Sequence, residues 1–245
     1  MLANLEGKTA LVTGAGHGMG KAIAKTLAMQ GASVAATDRF IEIVEETVSE
    51  IKGVETLALK MDVTSQDDVD AAFDKVNSQW GQLDIVVNNA GSFSNDPEML
   101  MAVNLYGVER CCEAAIPQMK QRRSGKIVNI GSTAGHTMIG RTGPYHVSKA
   151  AVLRYTKGLA SELGPFNINV NAVCPGPVFT KLPHEIDDYE EQLQNWVDFY
   201  VPFIPLERTQ EPQDIANMVT FLASEDARNV TGQCVHVDGG YIRHD

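Results

Sequence analysis

The chain has 245 residues, of which 44% are hydrophobic, and a net charge of −11. That length and apolar content suffice for one sizeable core, so we expect one domain over residues 1–245. The acidic balance disfavours nucleic-acid binding, because such surfaces are rich in Lys and Arg. No apolar run reaches the ~18 residues of a membrane span, and the N-terminus lacks a signal-peptide pattern. We therefore expect a cytoplasmic protein without a membrane partner.

Short apolar runs of strand length alternate with longer helical patterns along the chain. The predicted strands are Lys8–Thr13, Ser33–Thr37, Glu55–Lys60, Ile85–Asn88, Lys126–Ile130, Asn167–Val173 and Gln233–Val237. The predicted helices are Met19–Gln30, Ile41–Ile51, Ser65–Trp80, Met99–Lys120 (ended or kinked early by Pro117), Pro144–Leu163 and Gln213–Leu222. Strands linked by helices form right-handed βαβ units. The sequence thus predicts an α/β, doubly wound Rossmann-type domain with a seven-stranded parallel sheet and helices on both faces.

Four cysteines and six histidines are present, and none has the paired spacing of a metal site. The cysteines are Cys111, Cys112, Cys174 and Cys234. We interpret them as reduced and mostly buried side chains. The sequence therefore predicts no metal.

Four glycines connect the first predicted strand to the first predicted helix, within Thr13–Gly20. They lack the strict Gly-x-Gly-x-x-Gly spacing, but they let main-chain N–H groups approach a pyrophosphate at the positive end of a helix. Asp38 ends the second strand, where a carboxylate binds ribose hydroxyls and repels a 2′-phosphate. Arg39 could offset that repulsion, yet the turn itself holds His17 rather than Arg or Lys. We expect NAD rather than NADP; the alternatives are a turn without a ligand and an ordinary turn aspartate.

Tyr145 and Lys149 are four residues apart, on one face of a helix that begins near Pro144. An ammonium beside a phenol favours the phenolate and lowers the pKa of the tyrosine, which can then exchange a proton with a substrate oxygen. Ser132, which follows the fifth predicted strand, could hold the same oxygen. Taken alone this pattern is weak, because a solvated lysine one turn from a half-buried tyrosine is commoner.

With these pieces in one chain, the sequence resembles the short-chain dehydrogenase/reductase family from Gly7 to Tyr241. The residues that match its motifs are Thr13, Gly14, Gly18, Gly20, Asp62, Val63, Asn88, Asn89, Ala90, Gly91, Asn104, Ser132, Tyr145, Lys149, Pro175, Gly176, Val178, Thr180, Asp238, Gly239 and Gly240. Each motif is weak alone, but together they occur in the family's order. The predicted cofactor site comprises Gly14, Gly16, His17, Gly18, Met19, Gly20, Asp38, Arg39, Asp62, Val63, Asn89, Ala90, Gly91, Tyr145, Lys149, Pro175, Gly176, Val178 and Thr180.

The resemblance implies hydride transfer between a nicotinamide and a carbinol or carbonyl carbon. It assigns Tyr145 as the proton-transferring group, Lys149 to the nicotinamide ribose and to lowering the tyrosine pKa, and Ser132 to the substrate oxygen. It assigns Asn104 to a water that links Lys149 to solvent. In the family, the two helices matching Met99–Lys120 and Pro144–Leu163 form dimer faces, so a homotetramer or homodimer is implied.

The chain departs from the family at two places. Only Ser92–Val103 separates Gly91 from Asn104, which is shorter than common in the family and suggests a more open pocket edge. Gly131 replaces the serine that often precedes the catalytic serine, a change we expect to be tolerated.

A long irregular region, at about residues 177–210, is expected to form a lid over the substrate. The predicted substrate residues are Ser132, His136, Met138, Arg141, Tyr145 and Trp196. The lid carries aromatic residues that fall on one helical face: Trp196, Phe199, Tyr200 and Phe203. They form either the packing side of a lid helix or the wall of a pocket for a cyclic or bulky alcohol. Its many acidic residues disfavour anionic substrates, although Arg141 could bind an anionic group.

Three functions remain open from the sequence. The leading one is an NAD-dependent oxidoreductase that interconverts a small-molecule secondary alcohol and its ketone. The alternative is a 3-oxoacyl-thioester reductase, which Asp38 and the acidic net charge disfavour. The third is a cofactor-binding protein without catalysis, although such relatives usually lose the tyrosine or the lysine.

Overall fold

Seven parallel strands form one sheet, in the order β3-β2-β1-β4-β5-β6-β7. The computed structural model describes residues 3–136, 143–180 and 189–242. The strands are β1 Thr9–Thr13, β2 Ser33–Asp38, β3 Thr56–Lys60, β4 Ile85–Asn88, β5 Gly125–Ile130, β6 Ile168–Pro175 and β7 Cys234–Val237. The helices are α1 Gly18–Met29, α2 Ile41–Glu50, α3 Gln66–Trp80, α4 Pro97–Met101, α5 Gly107–Arg122, α6 Pro144–Leu163, α7 Tyr189–Tyr200 and α8 Pro212–Ala223. The predicted α/β Rossmann-type fold is confirmed.

Helices cover both faces of the sheet, because successive residues of a strand point to opposite faces. Ala10 and Val12 of β1 pack with α1 and α8 in one buried cluster. Leu11 between them packs in a second cluster with α3, α5 and α6. This double burial explains why the strands are continuously apolar rather than alternating. Within the described ranges, no helix has both the length and the apolar character needed to cross a membrane.

The strand order reverses between β1 and β4, which lie side by side at the centre of the sheet. Ligands of open α/β sheets bind outside the carboxyl ends of the strands at this switch point. The glycine-rich turn follows β1 and the Asn89–Gly91 stretch follows β4, so both predicted motifs lie at that edge.

Two of the predicted elements differ from the sequence prediction by more than one residue at a boundary. The predicted helix Met99–Lys120 is α4, a five-residue π-helical turn Ala102–Tyr106, and α5. Pro117 does not end α5, which continues to Arg122, because the proline lies on the exposed side of the helix where water can satisfy the carbonyl that loses its partner. Strand β6 continues to Pro175, past the predicted end, because Cys174 and Pro175 still pair with His236 and Val237 of β7.

The region predicted as a lid is closed at its base by an isolated parallel bridge between Val178 and Gln210. Helix α7 lies within it. Trp196 packs edge-on against Phe179, with ring centroids 5.6 Å apart. Phe199 remains 64% exposed. The aromatic face is therefore divided between packed and exposed rings.

Leu27 tests the packing of α1 against the sheet and α8, because its side chain is fully buried. We expect Leu27→Ala to lower the free energy of unfolding by about 2–5 kcal/mol, from lost transfer energy and a residual cavity. Met29, on the same helix, is 66% exposed. Met29→Ala should change it by less than about 0.5 kcal/mol. Urea unfolding at one protein concentration measures both, and equal effects would contradict the described packing.

Candidate active site

In the glycine-rich turn, main-chain segments lie so close together that there is no room for a side chain between them. Gly14 has φ +62°, and a Cβ added there would lie 2.9 Å from the Cα of Ala90. A Cβ at Gly20 would collide with the carbonyl oxygen of Gly14. Glycine is required at both positions, the first for its left-handed backbone and contact, the second for contact alone.

The side chains of Thr13 and Asn89 join the ends of β1 and β4 through hydrogen bonds. The Thr13 hydroxyl accepts hydrogen bonds from the main-chain N–H groups of Asn89 and Ala90, at 3.0 and 2.9 Å. The Asn89 side-chain amide donates to the carbonyl oxygens of Thr13 and Gly14, both at 2.9 Å. These four bonds place the predicted Asn89–Gly91 motif directly against the turn.

The start of α1 presents groups that fit a dinucleotide phosphate. His17 is the N-cap of this helix but makes no side-chain cap, and the first turn carries no acidic residue. The first main-chain N–H groups of α1 are therefore not hydrogen-bonded to a capping side chain. Among the described residues, the buried Nδ1 of His17 and Oδ1 of Asn89 have no hydrogen-bond partner. A Cβ at Gly18 would lie 3.1 Å from Cγ2 of Thr180, which places that threonine at the same helix end.

Asp38 ends β2 with its carboxylate turned toward the glycine-rich turn. Its Oδ2 lies 3.2 Å from the position of a Cβ added at Gly16, and its Oδ1 accepts a hydrogen bond from the main chain of Phe40 at 3.3 Å. The Arg39 guanidinium lies over the Phe40 ring, 4.7 Å from its centroid. The carboxylate, rather than the guanidinium, thus adjoins the turn.

The remaining predicted cofactor residues border the same edge from two sides. The side chain of Asp62 accepts hydrogen bonds from the main chain and the hydroxyl of Thr64, at 2.8 and 2.7 Å. Val63 packs so closely on Gly107 that a Cβ there would lie 2.7 Å from it. Pro175 ends β6, and Gly176 packs against Asp238. The C-terminal Asp-Gly-Gly motif therefore supports the segment that follows β6.

Ser132, Tyr145 and Lys149 converge between the segment that follows β5 and the first turns of α6. The side chains of Ser132 and Tyr145 form a hydrogen bond. The Lys149 Nζ lies 5.9 Å from the centroid of the Tyr145 ring and donates to the carbonyl oxygen of Ile130 at 2.9 Å. The Phe93 ring stacks on the Tyr145 ring with centroids 4.8 Å apart. The phenol of Tyr145, the ammonium of Lys149 and the hydroxyl of Ser132 thus lie close together, with the Phe93 ring stacked on the phenol.

Burial determines the acid–base properties of this group more than charge does. Burial raises the pKa of Tyr145 above its ordinary value, and the hydrogen bond from Ser132 lowers it. Burial also lowers the pKa of Lys149 to about 8, against a smaller opposing effect of Cys174. The sequence-based expectation that Lys149 lowers the tyrosine pKa is not met here, because desolvation of the phenol dominates and the ammonium is directed at Ile130.

Asn104 lies in the π-helical turn, and its side chain is fully buried. Its Oδ1 accepts from the main chain of Ser92 at 2.7 Å, and its Nδ2 donates to the Ser92 carbonyl and the Ser148 hydroxyl, both at 3.1 Å. The side-chain amide therefore joins the loop after β4 to α6, beside Lys149. Single π-helical turns often occur at functional sites.

The predicted substrate residues fall into three groups. Ser132 and Tyr145 come together as described. The His136 ring lies 4.6 Å from the His236 ring, and Trp196 lies against Phe179. Met138 and Arg141 lie outside the described residues. The contacts of Ser148 with Asn104 and of His236 with His136 could not be predicted from the sequence, because each joins residues that are distant in the chain.

Comparison with known proteins agrees with this geometry. A family model described as enoyl-(acyl carrier protein) reductase matches residues 14–242. A short-chain type dehydrogenase/reductase from Mycobacterium marinum superposes with a TM-score of 0.89 at 32% identity, covering 98% of each chain. The chain belongs to the short-chain dehydrogenase/reductase family. This family consists of oxidoreductases that use a nicotinamide dinucleotide, and the unpaired donors and glycine cradle of the turn fit such a cofactor.

Two relatives within the family differ in the substrates that their names state. The 3-oxoacyl-[acyl-carrier-protein] reductase of Staphylococcus aureus is 40% identical over 95% of this chain and 97% of its own length. The cyclohexanol dehydrogenase of a Rhodococcus species is 37% identical over 96% of each chain.

The lowered pKa of Lys149 makes the free energy of unfolding depend on pH. Below pH 8 both states hold the proton, whereas between about 8 and 10.5 only the unfolded state still does. The free energy of unfolding should therefore rise across that window, on the order of 3 kcal/mol relative to Lys149→Met. The exposed Lys157 on the same helix provides a control, because Lys157→Met should follow the wild type. Denaturant unfolding at several pH values measures the difference, and a flat difference between wild type and Lys149→Met would contradict the burial effect.

Proposed function

We propose that the protein is an NAD(H)-dependent oxidoreductase that interconverts a secondary alcohol and its ketone. The observation that carries the proposal is the hydrogen-bonded Ser132–Tyr145 pair beside the buried Lys149. This pair lies at the same sheet edge as the glycine-rich turn. A proton-transfer group therefore adjoins a dinucleotide site, which is the arrangement that hydride-transfer chemistry requires.

Tyr145 transfers the proton in this proposal, and a bound nicotinamide accepts or supplies the hydride. During oxidation the phenolate takes the hydroxyl proton of the alcohol, and during reduction the phenol returns it to the ketone oxygen. The Ser132 hydroxyl, already bonded to the phenol, is placed to hold the same oxygen. Proton transfer by a positioned group contributes roughly 10²–10⁴-fold to the rate.

Lys149 and Asn104 support the tyrosine. The Lys149 Nζ lies 5.9 Å from the centroid of the Tyr145 ring, close enough for its charge to stabilise a phenolate that forms during the reaction, even though burial keeps the pKa of the resting phenol high. At neutral pH Lys149 keeps its proton, because its pKa of about 8 lies higher. We assign its other hydrogen bonds to the nicotinamide ribose. The Asn104 side chain is committed to Ser92 and Ser148, so a water that links Lys149 to solvent would use the Asn104 main-chain carbonyl.

The preference for NAD rests on Asp38. Its buried carboxylate borders the glycine-rich turn, where it can accept hydrogen bonds from ribose hydroxyls. A 2′-phosphate would bring a second anion against that carboxylate in a partly desolvated site. Because the Arg39 guanidinium lies over the Phe40 ring, we attribute the preference for NAD over NADP to the negative charge of Asp38.

A 3-oxoacyl-thioester reductase is the second candidate, and the 40% identical relative from S. aureus favours it. The net charge of −11 opposes docking of an acidic carrier protein. A cofactor-binding protein without catalysis is the third, and the retained Ser132, Tyr145 and Lys149 disfavour it. NADH formation over polyols, cyclic alcohols, steroids and hydroxyacyl thioesters, with NAD and NADP side by side, separates all three.

We further propose a domain organisation, an oligomeric state and a cellular location for the protein. Residues 1–245 form one domain, and the segment at about 177–210, closed at its base by the Val178–Gln210 bridge, acts as the substrate lid. A homotetramer or homodimer forms through α5 and α6. We place the protein in the cytoplasm, with a small-molecule alcohol or ketone as its partner.

Replacing Tyr145 tests the proposed chemistry. We expect Tyr145→Phe to lower turnover roughly 10²–10⁴-fold, since the phenol is the proton donor and acceptor. NADH binding, measured by fluorescence, should change by less than about threefold, because the ring remains. Tyr155→Phe on the same helix is the matched control, as that hydroxyl contacts Cys112 instead. A Tyr145→Phe variant with wild-type turnover would overturn the assignment.

Replacing Asp38 tests the cofactor preference. We expect Asp38→Asn to raise the ratio of kcat/KM for NADP to that for NAD at least about tenfold, the equivalent of ~1.4 kcal/mol of removed repulsion. The exposed Asp74 on α3 gives a control with the same loss of charge, and Asp74→Asn should leave the ratio unchanged. An unchanged ratio in Asp38→Asn would assign the preference to other residues.

A further inference from the structure

A second cluster of reactive side chains lies beside the proposed catalytic group. It consists of His136, Cys174 and His236, and one potential ligand atom from each lies within 4.8 Å of the others. The Cys174 thiol is fully buried. None of the three belongs to the motifs that hold the cofactor, and none has a part in the proton transfer proposed above.

The sheet itself brings this cluster together. Cys174 on β6 and His236 on β7 are directly paired in the parallel register. His136 follows the short 3-10 helix Thr133–Gly135, and its ring lies edge-on to the His236 ring, with centroids 4.6 Å apart. Two of the three groups therefore sit on strand backbones, which hold a site more rigidly than loops do.

A second thiol extends the cluster to four groups. Cys234 lies two residues before His236 on β7, and its side chain is hydrogen-bonded to that of Cys174. Both cysteines are free thiols. Two thiols and two imidazoles form the donor set that Zn²⁺ and other borderline divalent metals prefer, and that Mg²⁺ and Ca²⁺ do not.

We propose that His136, Cys174 and His236 bind a divalent metal of the zinc class, with Cys234 as the fourth ligand. Around a tetrahedral Zn²⁺, with bonds of about 2.0–2.3 Å, neighbouring ligand atoms lie roughly 3.3–3.8 Å apart. The ligand atoms of His136, Cys174 and His236 now lie within 4.8 Å of one another, so metal binding must draw these three groups closer together and bring in the Cys234 sulfur. Each coordinating thiol loses its proton to solvent, so binding releases one proton per thiolate and involves no oxidation.

The location couples this metal to the active site. The main-chain N–H of Ser132 donates a hydrogen bond to the Cys174 sulfur, and His136 lies four residues after Ser132. A metal that fixes both Cys174 and His136 therefore fixes the segment carrying the catalytic hydroxyl. It also occupies a histidine that was predicted to border the substrate. Bound metal should consequently inhibit the enzyme reversibly.

Co²⁺ titration of the full-length protein tests binding without substrate or cofactor, so its result does not depend on the proposed reaction. We expect a near-ultraviolet thiolate-to-cobalt charge-transfer band and tetrahedral visible bands that saturate at one Co²⁺ per chain and disappear on addition of excess Zn²⁺. Cys174→Ala should weaken Co²⁺ affinity at least about 100-fold, the upper end for outer-shell changes. The band that remains at saturation should have roughly half the intensity, because Cys234 is then the one thiolate ligand left in the proposed site. Cys111→Ala, which removes a buried thiol from α5, is the matched control and should bind like the wild type.

His236→Gln keeps the test independent of the folding of Cys174→Ala, because His236 is only partly buried. It should weaken Co²⁺ binding to a similar degree while far-ultraviolet circular dichroism remains unchanged. Failure to observe a charge-transfer band at saturating Co²⁺, or a Cys174→Ala variant with undiminished affinity and band intensity, would overturn the site. Zn²⁺ should lower turnover of the wild type, with recovery after chelation, and undiminished turnover of the Zn²⁺-saturated enzyme would overturn the coupling to Ser132.

Discussion

The close approach of two main chains at the centre of the sheet determines where everything else in the site lies. Gly14 meets Ala90 at a distance that excludes a side chain, and Thr13 and Asn89 hold the two strand ends in that position. This contact directs α1 away from β1 with its positive end free, and it sets the loop after β4 beside that end. The Asn104 side-chain amide joins the loop after β4 to α6, so the proposed phosphate-binding turn and the proposed proton-transfer group are connected through hydrogen bonds.

Much of the fold followed from the sequence because doubly buried strands are continuously apolar and the helices between them are amphipathic. The larger error lies at a proline. Pro117 was expected to end or kink its helix early, although a proline on the exposed side of a helix removes a hydrogen bond that water replaces. Such compensation depends on which side of the element faces solvent, and that is set by the fold rather than by neighbouring residues.

The chemistry of the site was less predictable than its location. The spacing of Tyr145 and Lys149 fixes a common helix face, but their pKa values depend chiefly on burial. The lysine also donates a hydrogen bond to the carbonyl of Ile130, nineteen positions away in the chain. The histidine–cysteine cluster has no spacing rule at all. Its members meet because β6 and β7 pair in one particular register, and no local pattern encodes a register between strands that are separated in the chain by α7 and α8.

The π-helical turn Ala102–Tyr106 has a consequence for how this chain can evolve. An extra residue within a helix puts the parts before and after it out of rotational phase, so α4 and α5 each present their own apolar side to the core. Loss of that residue would turn α5 by roughly 100° relative to α4. Changes in length should therefore accumulate in the exposed connection that precedes α4, and family alignments should carry their gaps there rather than within the bulged helix.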